Sequence, residues 1–173
     1  MRLAGPDTAR PVYCASRDSR DCPLKARPRL WHNTHLLLDG NLKELERLTG
    51  ETRRFCRQHS LGGDVEFDLT LVLEELFTNT LRHGGCAGVE KAAEVHLTML
   101  PDGVELEYAD RGTPFVPQSA PAPDLTVPLE ERRIGGLGVH LMRQIMRDFE
   151  YHRSNGWNRT RMRRPIPGEE PKV

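Results

Sequence analysis

The sequence predicts an α+β domain: a two-layer sandwich with helices covering one face of a mixed, mostly antiparallel sheet. Three observations carry this. Val95, Leu97 and Met99 alternate with polar residues, the chain turns at Pro101-Asp102-Gly103, and Val104, Leu106 and Tyr108 alternate again, which is a hairpin pattern. Two other stretches, 42–55 and 65–81, repeat apolar residues at the three- and four-residue steps of a helix. The resulting order, β, α, α, β, β, loop, α, β, β, lacks the strict alternation of a parallel α/β sheet.

The elements follow in order. Residues 1–30 hold Pro6, Pro11, Pro23 and Pro28 without a hydrophobic period, and read as a flexible N-terminal extension. Order is expected from Trp31. His35–Leu38 suits a strand ending at the turn Asp39-Gly40. Asn41 can cap a helix striped by Leu42, Leu45, Leu48, Thr52 and Phe55, ending near Gly62-Gly63. Asp64 can cap a second, striped by Val65, Leu69, Val72, Leu73, Leu76 and Leu81, and stopping at His83-Gly84-Gly85. After the hairpin, residues 113–134 carry prolines at 114, 117, 121, 123 and 128, and a loop of that length is more often functional than inert. A third helix is expected from Val139 through Phe149. Phe149–Arg153 and Asn158–Arg163 form a last hairpin about Asn155-Gly156, and Pro165–Val173 reads as a disordered tail.

Composition narrows the function classes. The chain has 173 residues, 37% apolar and 29% charged, enough for one globular domain. No apolar run approaches the roughly 20 residues needed to cross a bilayer, and the N-terminus lacks a secretory apolar core, so a cytoplasmic protein is expected. The four cysteines show no metal-ligand spacing and read as free thiols. The formal net charge of zero conceals two basic ends around an acidic middle, residues 31–151, with twelve Lys/Arg and twenty Asp/Glu. The basic residues are scattered among prolines without interleaved aromatics, which argues against a nucleic-acid surface.

Some polar residues exceed what a core requires. Glu75 and Asn79 stand i, i+4 on the second helix and project from one face, which by itself fits a solvated surface. Asp110 closes a strand and is followed by Gly112. Beyond the long loop, Gly135-Gly136-Leu137-Gly138-Val139 opens the third helix, where backbone N–H groups and the helix dipole favour an anion. The absence of GK[ST] excludes a P-loop. In combination, Asn79 can offer a hard oxygen to Mg²⁺, Asp110 can accept from an exocyclic amine such as that of adenine, and the glycines can receive phosphates.

These residues resemble a known family. Leu73–Gly84, with Glu75, Asn79, His83 and Gly84, resembles the N-box of the GHKL ATPases. Asp110–Phe115 and Gly135–Met142 resemble their two glycine boxes. The form Glu-x-x-x-Asn-x-x-x-His-Gly, with Pro-Phe after the Asp-x-Gly, is most similar to the anti-sigma-factor serine/threonine kinases, and the likeness covers roughly 34–164. It implies the Bergerat ATP-binding fold, with ATP and Mg²⁺ as cofactors. It implies Glu75 as general base, Asn79 as the Mg²⁺ ligand, Asp110 with Gly112 as the adenine site, and Gly136, Leu137, Gly138 and Val139 at the phosphates. Residues 113–134 become the ATP lid, and His83 a structural or pocket-lining residue. Arg159 occupies the place where the family often has a threonine near adenine, with Thr160 one step on.

Two functions follow from the resemblance. One is a kinase that phosphorylates a small anti-anti-sigma antagonist and sequesters a sigma factor, with a homodimer possible. The other is a sequestering module with ATP as a silent ligand, motivated by the odd lid and Arg159.

Overall fold

The structure is a computed structural model, and it describes residues 33–114 and 137–166. The expected N-terminal extension, most of the lid and the tail beyond Ile166 lie outside those residues. Five strands form one sheet, β1 (Asn33–Leu38), β2 (Ala93–Leu100), β3 (Gly103–Asp110), β4 (Arg147–Ser154) and β5 (Trp157–Pro165), ordered β1-β2-β3-β5-β4. Every pairing is antiparallel, so the expected mixed character is absent among the described strands. Helices α1 (Glu44–Gln58), α2 (Gly63–Arg82) and α3 (Leu137–Ile145) complete the fold.

Alternation fixes which face is covered. Leu36, Leu38, Val95, Leu97, Val104, Leu106, Tyr108 and Met162 point into the core, where they meet Leu48, Phe55, Leu69, Leu73 and Phe77 from the helices. Their neighbours Glu94, His96, Glu105, Glu107 and Arg159 share the opposite face of the sheet. Burying aliphatic and aromatic side chains of this size stabilises by roughly 1.5–3 kcal/mol each. Cys56 and Cys86 are free thiols within this core, and burial pushes Cys56 up to about 11.

Several boundaries differ from the sequence expectation. Asn41 stands before α1 and its Oδ1 accepts the Lys43 N–H at 3.0 Å, while Leu42 remains exposed. Gly62, not Asp64, is the N-cap of α2, and Asp64 lies in the first turn, where its charge suits the helix dipole. The third helix stops at Ile145 because the Arg147 guanidinium takes the carbonyls of Arg143, Gln144 and Met146. Phe149 therefore packs on the core from β4. Pro165, expected in the tail, ends β5 against Gly103. The turn at Asn155 (φ 52°) and Gly156 (φ 80°) has the positive-φ pair that a type I′ hairpin needs.

The loop after β1 is clipped to the loop after α2. Gly40 N donates to Val89 O at 2.7 Å, and its carbonyl accepts from Gly88 N at 2.8 Å. A Cβ on Gly40 would lie 1.8 Å from the Cys86 carbonyl oxygen, a backbone atom that cannot turn aside. Gly40→Ala is expected to cost about 3 kcal/mol or more, read as a lower urea midpoint with an unchanged slope.

Candidate functional site

The site is built at the C-terminal ends of α2 and β3. Helix α2 buries Leu73, Leu76, Phe77 and Thr80, and Glu75 and Asn79 sit half-buried beside that stripe. The i, i+4 spacing lets Asn79 Nδ2 donate to Glu75 Oε1 at 2.8 Å. The bond holds the carboxylate and uses the amide nitrogen, so Asn79 Oδ1 keeps its acceptor capacity. The helix ends one turn on, where the His83 and Gly84 N–H groups donate to the Asn79 carbonyl at 2.8 and 3.0 Å.

Gly138, in the first turn of α3, faces this pair. A Cβ there would lie 2.1 Å from Glu75 Cδ and 2.4 Å from its Oε2, so only glycine lets the helix start come so close. The obstructing atoms belong to a flexible side chain. Gly138→Ala is therefore expected to leave thermal stability nearly unchanged, helped by alanine's helix propensity, while pushing Glu75 off Asn79. Any chemistry that needs Glu75 should fall roughly 10-fold or more, since a misplacement of about 1 Å can cost 10²-fold. A turnover assay beside a thermal melt separates the two effects.

Asp110 ends β3 on the inward face. Its Oδ1 accepts from Gly112 N at 2.8 Å and from Asn158 Nδ2 at 2.9 Å. Both bonds fall on Oδ1, so Oδ2 is the oxygen a ligand amine can approach. Burial raises the Asp110 carboxyl above its usual range, against the lowering effects of the Asn158 and Gly112 hydrogen bonds and of the Arg153 charge. Gly112 packs on Gly84, since a Cβ on it would come 2.9 Å from Gly84 Cα. Thr113 adds N–H to Gly84 O at 3.1 Å and Oγ1 to His83 O at 3.3 Å. These contacts join the strand carrying Asp110 to the helix carrying Glu75 and Asn79.

The structure thus brings Glu75, Asn79 and Gly138 together and ties Asp110 and Gly112 to the same junction. Val139 buries its side chain, so only its backbone can meet a ligand, and Leu137 opens α3. Gly136 lies outside the described residues. His83 is exposed and acts through its main chain. Arg159 does not lie on the face of the sheet that carries Asp110. It pairs with Glu107 at 2.9 Å on the outer face, while Thr160 is buried on the inner face, opposite Tyr108.

Sequence reasoning missed the support of Asp110. Asn158 stands opposite Asp110 across β3 and β5, and its Nδ2 also donates to the Gly112 and Thr113 carbonyls, each at 3.1 Å. Its Oδ1 accepts from Tyr151 Oη at 2.9 Å and from Arg153. Below it, Tyr108 Oη and Thr80 Oγ1 share a buried hydrogen bond of 2.8 Å between sheet and α2. The signal was present, because Asn158 alternates in step with the inward Thr160 and Met162.

This arrangement belongs to a class of ATP-binding domain. The family model described as "Histidine kinase-like ATPase domain" matches residues 39–164, and the chain belongs to that family. It is 34% identical over 94 residues to the serine/threonine-protein kinase BtrW of Bordetella bronchiseptica, a match covering 54% of this chain and 66% of that protein. The fold also resembles the crystal structure of the RsbU and RsbW domains of Rv1364c from Mycobacterium tuberculosis. The TM-score is 0.56 at 14% identity, covering 78% of this chain and 32% of that one. No helix among the described residues is long and apolar enough to cross a membrane.

Proposed function

We propose that this chain is an ATP-dependent protein serine/threonine kinase of the anti-sigma-factor type, which phosphorylates an antagonist protein and sequesters a sigma factor. The observation that carries the catalytic part is the Glu75–Asn79 pair set against the glycine start of α3. The likeness to a serine/threonine kinase supports the choice of acceptor.

The residues fit the group that the family implies. Gly138 lets the start of α3 come close to Glu75, and the amide oxygen of Asn79, whose Nδ2 is engaged with Glu75, is the donor type that Mg²⁺ prefers. When bound, Mg²⁺ would neutralise charge on the triphosphate. Asp110 would accept from the adenine amine through Oδ2, with Gly112 N holding Oδ1. The backbone N–H groups of Gly136, Leu137, Gly138 and Val139 would meet the phosphates. Glu75 would take the proton of a serine or threonine hydroxyl as its oxygen bonds to the γ-phosphorus and the bond to the β-phosphate bridging oxygen breaks, releasing ADP. Positioning and electrostatics supply most of the rate in such transfers.

The test is a pull-down from the native cell with and without ATP, followed by transfer from γ-labelled ATP to each captured protein. A captured sigma factor, and an antagonist labelled on serine or threonine, support the proposal. Capture of neither, with no acceptor labelled, contradicts it.

A further inference from the structure

The outer face of the sheet, opposite the face that carries Asp110, holds a second group of chemistry-bearing side chains. His35 on edge strand β1 and His96 on β2 are direct cross-strand partners. Their rings stack with centroids 4.3 Å apart and planes 7° from parallel. Glu94, two residues before His96 and so on the same face, sends Oε1 between them, 2.9 Å from His35 Nε2 and 3.1 Å from His96 Nε2. One oxygen and two imidazole nitrogens thus converge, all within 4.8 Å of one another.

We propose that His35, His96 and Glu94 form a binding site for a divalent transition-metal ion, of which Zn²⁺ is the representative. Two imidazoles and a carboxylate are a donor set of the kind found in open zinc sites, where bonds of about 2.0–2.2 Å bring ligand atoms to about 3.3 Å. The two nitrogen–oxygen separations already lie near that value. Movement of His35, whose side chain is 48% exposed, closes the rest. The imidazoles select a borderline ion over the hard Mg²⁺ of a nucleotide complex, so the two sites do not compete for the same metal.

The surroundings favour the arrangement. Arg159 Nη2 lies 3.5 Å from Glu94 Oε2, and its Nη1 2.9 Å from Glu107 Oε1. Arg159 thereby occupies the far carboxylate oxygen and turns Oε1 toward the histidines, as supporting groups do around bound metals. An ion held by His35 and by the β2 residues would clip β1, an edge strand among the described residues, to β2. The remaining coordination positions face solvent and would take water.

The test uses the full chain freed of metal by a chelator. Zn²⁺ is titrated in competition with a chromophoric chelator into wild type, His35→Gln, His96→Gln and, as a control, His152→Gln on the far strand β4. One site is expected in wild type and in the control, weakened about 100-fold or more in the other two variants, beyond what loss of a supporting residue costs. Saturating Zn²⁺ should raise the melting temperature of wild type and not of those two variants. Co²⁺ in the same site should give d–d absorption without a thiolate charge-transfer band. Zn²⁺ binding unchanged in His35→Gln and His96→Gln, or a thiolate band for the tightest-bound Co²⁺, would overturn the assignment. Melts without metal confirm that the variants fold, and ATP affinity should be the same in all four proteins.

Discussion

Replacing Glu75 with glutamine is expected to slow γ-phosphate transfer to a partner hydroxyl by about 10²-fold or more, the usual worth of a positioned base. Glutamine keeps the size of the side chain, and its amide oxygen can still accept from Asn79 Nδ2, a bond of 2.8 Å in the native pair. It cannot take a proton. ATP affinity should therefore change little, and the loss should appear in single-turnover transfer at saturating ATP. Transfer at the wild-type rate would remove Glu75 from the chemistry. Asn79→Ala is the informative contrast, because losing the amide oxygen should weaken the Mg²⁺-dependent part of ATP binding as well as transfer.

Asp110→Asn is expected to uncouple stability from nucleotide recognition. Burial raises the Asp110 carboxyl above its ordinary value of 3.8, so the native state holds this proton more tightly than the unfolded chain. Its contribution to stability is greatest below the unfolded value and is lost as pH rises through the folded one. Above the folded value the ionised carboxylate is a standing cost. Asparagine removes the charge while its oxygen can still accept from Gly112 N and Asn158. The variant should be as stable as wild type or more so at pH 7, with a flatter stability profile on the acid side. ATP affinity should fall roughly 10- to 100-fold, the worth of a hydrogen bond to a charged acceptor. Urea titrations across pH, paired with calorimetry, test both halves. A destabilised variant that binds ATP normally would contradict both.

Period and turn chemistry made most of the architecture legible. The hairpin through Asp102-Gly103, the stripe of α2 and the Asn155-Gly156 turn are each set by local sequence, and each appears where expected. Failures came where tertiary partners decide. Met146 and Phe149 continue a helical spacing, yet Arg147 captures the last carbonyls of α3 and sends Phe149 into a strand. Arg159 was expected where the family often has a threonine, but one residue of register in β5 flips a side chain between faces. Pairing of Thr160 with Tyr108 puts Arg159 outside and Asn158 beside Asp110. That Glu75 and Asn79 share one helix face was readable from their spacing, whereas their hydrogen bond is seen only in the structure. The approach of Glu75 to Gly138 was not readable, because that depends on how α3 docks against α2.

The most direct measurement is calorimetric titration of the full chain with ATP, with and without Mg²⁺, beside GTP and the Asn79→Ala variant. ATP should bind, more tightly with Mg²⁺ and in preference to GTP, and Asn79→Ala should lose the Mg²⁺ enhancement. No heat from ATP, or equal binding of ATP and GTP that ignores both Mg²⁺ and Asn79, would contradict a triphosphate held between α2 and the start of α3.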